Sequence, residues 1–242
     1  MRRIKLTIEY EGTNYVGWQI QPNGIAIQQK LHEALKNLFN EEILVTASGR
    51  TDSGVHALCQ VVHFDINSNL PNFKIIRGLN FYLPDDIKVI NAEDAASDFH
   101  ARYDAVKRTY RYYIRLQPTS VLRNFRWVII DKINIDEMIK AEGFLKGKKN
   151  FKSFCSSQSN MDHYNCELLK AEFSLMKNDL IFEIQANRFL HNMVRSIVGT
   201  LVEIGRGKFK AEDIKDIIAQ QNRVAAGPTA PPTGLFLEKV DY

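Results

Sequence analysis

Hydrophobic and polar residues recur with two different periods along the chain, one typical of strands and one typical of helices. In residues 4–10, apolar and polar side chains alternate one by one, which predicts a half-buried strand. In residues 26–39 the apolar side chains recur every three or four positions, which predicts an amphipathic helix. The same patterns predict strands at 43–46, 58–66 and 87–90, and a second helix at 74–83 that Pro84 ends.

The second part of the chain shows a comparable order of elements. Its patterns predict strands at 105–116, 125–130, 166–176, 180–186 and 235–240, and helices at 135–146 (capped by Asn134), 189–204 and around 211–220. Apart from one extra strand and one extra helix, both parts follow the order β-α-β-β-α-β of ferredoxin-like units. We therefore predict an α+β fold of two such halves with antiparallel sheets, residues 1–103 and 104–242, and a ligand cleft between them.

The loop between the strands predicted at 43–46 and 58–66 is residues 47–57, ASGRTDSGVHA, hereafter the Asp52 loop. Its glycines and its Thr-Asp-Ser run favour sharp turns. It also carries a cation, a carboxylate and an imidazole, from Arg50, Asp52 and His56. Taken alone, this pattern favours an ordinary turn in which Asp52 caps backbone N–H groups. A rigid sheet that presents a polar loop is equally the place where catalytic side chains are found.

Two further stretches combine polar or aromatic chemistry with a regular pattern. In the helix predicted at 189–204, Arg195 belongs to a polar face, which is either solvated or turned toward the expected cleft. In the second case its guanidinium reaches the Asp52 carboxylate, keeps it ionised and fixes its direction. Tyr110 shares a strand face with Tyr112 and Ile114, which is typical of a core aromatic residue.

Composition changes this picture only slightly. The 242 residues are 45% hydrophobic and 25% charged, as in an ordinary soluble globular protein, and the net charge of +4 permits an anionic partner without requiring one. Basic and aromatic side chains interleave in residues 103–115 and 146–154. Such stretches suit a partner with phosphates and flat bases, or they form solvated strand edges protected by lysine, and both interpretations stay open.

Several classes of protein are disfavoured. No apolar segment follows the basic N-terminal residues, and no apolar run approaches membrane-spanning length, which argues against a secretory or membrane protein. Three cysteines without a CxxC pair or a zinc-site spacing favour a reducing cytoplasm and no metal. A cysteine hydrolase using Cys59 with His56 or His63 is disfavoured because Cys59 lies within an apolar strand.

Five segments, in order along nearly the whole chain, resemble the TruA family of tRNA pseudouridine synthases. They are YEG at 10–12 with GWQ at 17–19, GRTDSGVHA at 49–57, FHAR at 99–102 with RTYRY at 108–112, NRFLHNMVRSIVG at 187–199, and AP at 230–231 with GLFL at 234–237. Three residues depart from the family pattern: Ala26 lacks the usual helix cap, Ser53 stands where Ala is usual, and Asn192 replaces His or Gln. We expect none of the three departures to touch a residue that we assign to chemistry.

The resemblance implies an isomerase that converts uridine to pseudouridine at positions 38, 39 and 40 of the tRNA anticodon stem-loop. It also implies a homodimer, an RNA-binding cleft, and no cofactor or metal. Asp52 is then the catalytic residue, Tyr110 binds the substrate base, and Arg50 and Arg195 support them. Within the loop we expect Gly49 and Gly54 to shape the backbone, Ser53 to be incidental and His56 to be structural. A tRNA-binding module that lacks catalysis is the alternative.

Overall fold

The computed structural model describes all 242 residues and contains ten strands and five α-helices. The strands are β1 (Arg2–Tyr10), β2 (Thr46–Ala47), β3 (His56–Ile66), β4 (Ile87–Ala95), β5 (Lys107–Arg115), β6 (Trp127–Val128), β7 (Gly147–Asn150), β8 (Asn165–Met176), β9 (Asp179–Ala186) and β10 (Leu235–Asp241). The helices are α1 (Ile27–Phe39), α2 (Asn72–Tyr82), α3 (Ile135–Glu142), α4 (Met193–Gly205) and α5 (Asp213–Gln220). None of these helices has both the length and the hydrophobicity that crossing a membrane requires.

The chain folds into two compact units, and the first contains Met1–Val106 together with Phe236–Tyr242. Its strands lie in the order β4-β1-β3-β10, with the short β2 also paired to β3. β1 is antiparallel to both β3 and β4, whereas β10 is parallel to β3. Every second residue of β1 from Ile4 to Tyr10 is buried, as the alternating pattern predicts. The helices α1 and α2 pack against each other, and α2 packs against β4.

The second unit contains Lys107–Leu235. Its strands lie in the order β5-β9-β8-β7, each antiparallel to its neighbour, and the two-residue β6 runs parallel to β5. Helix α3 packs against α4. Mainly antiparallel strands and helices in both units confirm the α+β fold predicted from the sequence.

The structure departs from the predicted elements at several places. The strands expected at 43–46 and 125–130 are limited to β2 and β6, and α4 begins four residues later than expected, at Met193. The helix expected at 135–146 ends at Glu142 and is followed by β7, whose sequence Gly-Lys-Lys-Asn lacks any apolar alternation. The sequence pattern alone groups β10 with the second half, but β10 hydrogen-bonds to β3 in the first unit.

Of the five α-helices, only α3 begins with a side-chain cap. The Asn134 side chain accepts a hydrogen bond from the Glu137 backbone N–H at 3.2 Å, which confirms the predicted cap of α3. Ala26 precedes α1 without a side-chain cap, because a methyl group cannot accept a hydrogen bond from the backbone N–H groups of the first turn. We attribute to this loss about 1 kcal/mol of helix stability.

Candidate active site

The Asp52 loop joins β2 to β3 through a tight turn. The backbone N–H of Val55 donates to the carbonyl of Asp52 at 3.1 Å, and Gly54 has a φ of +76°, a conformation that favours glycine. Asp52 is half-buried at this turn. Gly49 is different, because its φ is not positive and an added Cβ meets no atom within 4 Å. The expectation that glycine shapes the loop therefore holds for Gly54 and is wrong for Gly49.

The segment between β1 and α1 braces this turn from outside. The Trp18 backbone N–H donates to the Thr51 carbonyl at 3.1 Å, and the Tyr15 carbonyl accepts from the Gly54 N–H and from the Ser53 hydroxyl, both at 3.2 Å. Ser53 is thus part of the brace rather than incidental. Tyr15 and Trp18 are buried, with 7% and 3% of their surface exposed, so both are core residues and not platforms for a base.

A buried polar network lies beneath the loop. The hydroxyls of Tyr10 and Thr51 hydrogen-bond at 2.8 Å. Gln60, which is fully buried, accepts from the Ser48 hydroxyl at 2.8 Å and donates to the Gly49 carbonyl at 3.0 Å. Burial raises the pKa of Tyr10 well above its ordinary value, so its hydroxyl stays neutral. A satisfied buried network of this kind fixes the backbone position of the residue next to Asp52.

The two other charged or ionisable loop residues differ in how they are held. His56 is 1% exposed, accepts the Gly12 backbone N–H on Nδ1 at 3.1 Å, and stacks on Phe236 with ring centroids 4.6 Å apart. These contacts support its expected structural role. Arg50 is exposed and forms no hydrogen bond or ion pair within the chain, so it does not hold Asp52 in place.

In the second unit, Tyr110 and Tyr112 share one face of β5 but differ in depth. Tyr112 is fully buried and its hydroxyl donates to the Pro231 carbonyl at 2.7 Å. Tyr110 is only half-buried, and its ring packs edge-to-face on Phe189, with centroids 5.1 Å apart and planes at 88°. The alternating pattern therefore assigns the correct face to Tyr110 but overstates its burial.

Arg195 lies in the first turn of α4, and two of its contacts are with neutral acceptors. Its Nε donates to the Ala230 carbonyl at 2.8 Å, and its Nη1 donates to the Asn192 side-chain oxygen at 3.2 Å. Asn192 precedes the helix with a φ of 62°, a left-handed conformation that asparagine tolerates better than most residues. The departure at Asn192 therefore does touch a residue assigned to chemistry, contrary to the sequence-based expectation.

The polar face of α4 is not a solvated surface. Thr200 is fully buried and its hydroxyl oxygen accepts the Gly227 backbone N–H at 2.9 Å, while the Ala230 N–H donates to the Arg195 carbonyl at 3.0 Å. Glu203 is 3% exposed and forms ion pairs with Arg206 and Lys208. The segment 227–230 of the same unit thus covers this face.

The two basic and aromatic stretches are largely structural. Arg111 and Arg115 of β5 form ion pairs with Glu183 and Asp179, the residues directly opposite them on β9. In the second stretch, Phe151 and Phe154 are fully buried. These two arginines are therefore paired within the sheet and do not lie on a lysine-protected strand edge, and the two phenylalanines belong to the core.

The cysteines do not form a reactive or metal-binding cluster. No group of three or more His, Cys, Asp or Glu side chains is arranged to hold a metal ion. Burial raises the pKa of Cys166 to about 11 and raises that of Cys155, so both remain thiols near neutral pH.

The predicted site residues are divided between the two units. Arg50 and Asp52 share one loop of the first unit, and Tyr110 and Arg195 belong to the second unit. Sequence reasoning missed the residues that hold them, which are Tyr10, Thr51 and Gln60 around the loop, Phe189 against Tyr110, and Asn192 against Arg195. Phe189 and Asn192 lie within the segment 187–199 that carries the resemblance, which was the available signal.

Comparison with known proteins agrees with the five-segment resemblance. The family model described as tRNA pseudouridine synthase matches residues 6–104 and 142–242. The tRNA pseudouridine synthase A of Thermoanaerobacter sp. (strain X514) is 42% identical over 244 residues, and the tRNA pseudouridine synthase A 2 of Clostridium perfringens (strain 13 / Type A) is 44% identical over 244 residues. Each of these matches covers 100% of both chains.

Solved structures add little to this result. A chain of the crystal structure of a Cbf5-Nop10-Gar1 complex matches 91% of this chain and 68% of its own length, with 11% identity. Its TM-score of 0.37 is too low to carry an argument. The family model and the full-length relatives instead decide between an enzyme and a binding module. The chain belongs to the TruA family of tRNA pseudouridine synthases and is an isomerase that converts uridine to pseudouridine in tRNA.

Proposed function

We propose that the enzyme modifies uridines 38, 39 and 40 in the anticodon stem-loop of tRNA and that Asp52 is its catalytic residue. The observation that carries the role of Asp52 is the rigid support of its turn. Hydrogen bonds from the segment 12–18 and the buried contact between Tyr10 and Thr51 hold the backbone on both sides of this carboxylate. A catalytic side chain requires this kind of support, because small errors in its position reduce the rate strongly.

The reaction needs a group that acts at the sugar or at the base. The glycosidic bond between N1 of uracil and C1′ breaks, the base turns, a bond forms between C5 and C1′, the C5 proton passes to solvent, and N1 takes up a proton in its place. Carboxylates act in enzymes as covalent nucleophiles or as general bases, and Asp52 suits either role. The rearrangement is redox-neutral, so we propose that it proceeds without a cofactor or metal, and that enzyme dialysed against EDTA keeps its full rate.

Tyr110 is the residue that we propose to bind the flipped base. A uridine in a stem leaves its stack at a cost of a few kcal/mol, which stacking on an aromatic ring partly offsets. The half-buried ring of Tyr110, fixed from its edge by Phe189, is suited to this task. Arg50, exposed and unpaired, is proposed to contact the RNA.

Arg195 is proposed to act on the Asp52 carboxylate. Its guanidinium is oriented by the Ala230 carbonyl and the Asn192 side chain, and both of these acceptors are neutral. A cation next to a carboxylate keeps it ionised. This pairing and the RNA-binding cleft remain predictions from the resemblance.

The same holds for the homodimer and the cytoplasmic location. We propose that two chains grip one tRNA in the cytoplasm, because the family resemblance implies a homodimer and the cysteine pattern favours a reducing compartment. Light scattering of the purified chain should give twice the mass of 27.8 kDa, and a monomeric mass at micromolar concentration would contradict the dimer.

Mapping of the product tests the choice of substrate position. Three tRNA transcripts that each keep uridine at only position 38, 39 or 40 are incubated with the enzyme, and a fourth transcript lacks all three uridines. We expect pseudouridine in the first three transcripts, at the single uridine that each retains, and none in the fourth. Pseudouridine elsewhere in the fourth transcript would overturn the assignment to the anticodon stem-loop.

A further inference from the structure

An open cavity of about 440 Å³ lies in the second unit, apart from the contacts of Tyr110 and Arg195 described above. It is lined by side chains from β7, from the segment just before β8, from the start of β8 and from the segment after β9. Those that matter here are Lys148, His163, Glu167, Asn187 and Arg188.

The cavity holds two cations without a carboxylate partner. Neither Lys148 nor Arg188 forms an ion pair, and Lys148 lies opposite Glu167 in the β7–β8 pairing without coming within ion-pair distance. The Arg188 guanidinium donates through Nη1 to Nε2 of His163 at 3.1 Å, so the ring accepts with a lone pair and adds no negative charge. The arginines of β5 differ, since Arg111 pairs with Glu183 across the sheet.

The cavity adjoins the residues proposed to bind the base. Arg188 immediately precedes Phe189, whose ring packs on Tyr110. The Asn187 carbonyl accepts from the Arg108 guanidinium at 2.9 Å, and Arg108 is two residues before Tyr110 on β5. An RNA strand whose base stacks on Tyr110 therefore passes close to this cavity.

We infer that the cavity binds a backbone phosphate of the RNA strand whose base Tyr110 receives, an inference that rests on the proposed function. The planar guanidinium of Arg188 suits bidentate contact with a phosphate, and Lys148 adds a mobile point charge. Asn187 is fixed because its side-chain oxygen accepts the Glu167 backbone N–H at 3.0 Å, which leaves its amide nitrogen as a donor. Contacts of this kind position a nucleic acid without reading its sequence.

Equilibrium binding of tRNA to the full-length enzyme at several salt concentrations tests this inference. Arg188→Ala and Lys148→Ala should each weaken binding about fivefold near 0.1 M salt and lower the slope of log K against log salt by about one. Glu167→Gln should have the opposite effect and tighten binding about twofold, because it removes the carboxylate from the cavity. All three should keep the wild-type kcat at saturating tRNA.

Two control variants keep the result interpretable. Lys132→Ala removes an exposed, unpaired lysine outside the cavity. It should change the affinity and the salt slope only by the small amount expected when a protein loses one positive charge that does not contact the RNA. Arg188→Lys keeps the charge but not the planar fork, so it should restore the salt slope and only part of the affinity. Equal effects of Arg188→Ala and Lys132→Ala would overturn the inference.

The source of the phosphate and the proposed function are tested separately. If inorganic phosphate shifts the His163 NMR signals while Arg188→Ala leaves tRNA affinity unchanged, the cavity binds free anion and the inference is wrong. If the variants lose affinity as expected but wild-type enzyme leaves uridines 38, 39 and 40 unmodified, the proposed substrate position fails while the phosphate site stands.

Discussion

The polar residues around Asp52 and those of the cavity that contains Lys148 and Arg188 differ in whether they have partners within the chain. Around Asp52 the polar groups are satisfied from within the chain, by the brace from residues 12–18 and by the Tyr10–Thr51 and Gln60 contacts below. In the cavity the cations Lys148 and Arg188 have no carboxylate partner. A side chain that reacts must be kept in position by contacts within the protein. A side chain that binds a charged ligand must instead keep its own charge available for that ligand.

This difference predicts different kinetic effects in the two regions. Variants that loosen the loop should lower kcat and leave KM for tRNA nearly unchanged, because they misplace the carboxylate that we propose to react. Variants in the cavity should raise KM and change the salt dependence, because they remove uniform binding.

Gly17→Ala should produce the largest effect among the residues that hold the loop. Gly17 has a φ of +107°, and an added Cβ would lie 2.6 Å from the Thr51 carbonyl oxygen, so the brace must shift. We expect kcat to fall on the order of 100-fold, as measured with saturating tRNA.

Gly49→Ala in the loop itself is the matched control for that variant. An added Cβ at Gly49 meets no atom within 4 Å, and we expect a rate close to that of wild type. If both alanine variants lose the same activity, the loop does not depend on the brace at Gly17.

Tyr10→Phe should have a smaller effect on the same step. It keeps the ring but leaves the buried Thr51 hydroxyl without its partner at 2.8 Å, which costs about 1–3 kcal/mol of stability. We expect kcat to fall about tenfold and KM to stay constant, with a lower melting temperature. Tyr10→Phe with Thr51→Val removes both hydroxyls and should recover stability but not kcat. Recovery of kcat together with stability would show that the contact is only structural.

Phe189→Ala tests whether two neighbouring regions of the second unit, the ring of Tyr110 and the cavity, act separately, because Phe189 contacts Tyr110 and its neighbour Arg188 lines the cavity. Loss of the edge-to-face contact with Tyr110 removes about 0.5–1.5 kcal/mol of support for the ring. We expect kcat to fall about fivefold at saturating tRNA. The salt slope of binding should stay at the wild-type value, in contrast to Arg188→Ala. A reduced salt slope in Phe189→Ala would merge the two regions into one binding surface.

The sequence predicts most strands and helices because their buried residues recur with the periods of regular secondary structure. The alternation in β1 and the helical spacing in α1 are both borne out by burial. The periodic pattern gives no signal for β7, whose polar residues form an edge strand. It also does not indicate that β10 pairs with β3, because the two strands lie far apart in the sequence. Long-range pairing depends on which surfaces meet, and local periodicity does not contain that information.

For the candidate site, the sequence indicates the residues with reactive side chains better than it indicates the residues that hold them in position. The residue types in the Asp52 loop mark a turn with a carboxylate, and the resemblance assigns Tyr110 and Arg195. The buried support of the loop by Tyr10 and Gln60 is invisible locally, because these residues read as ordinary strand positions. The sequence also does not show that Arg188 lacks a carboxylate partner, because such a partner is defined only in the folded chain.

The central claim is that Asp52 performs the chemistry and is not required for binding. The most direct measurement is the single-turnover release of tritium from tRNA labelled at uridine C5, with enzyme in excess. Asp52→Asn should bind tRNA like wild type but release label about 10⁴-fold more slowly or not at all, while Asp85→Asn, an exposed control, should match wild type. Release by Asp52→Asn within tenfold of the wild-type rate would contradict the account.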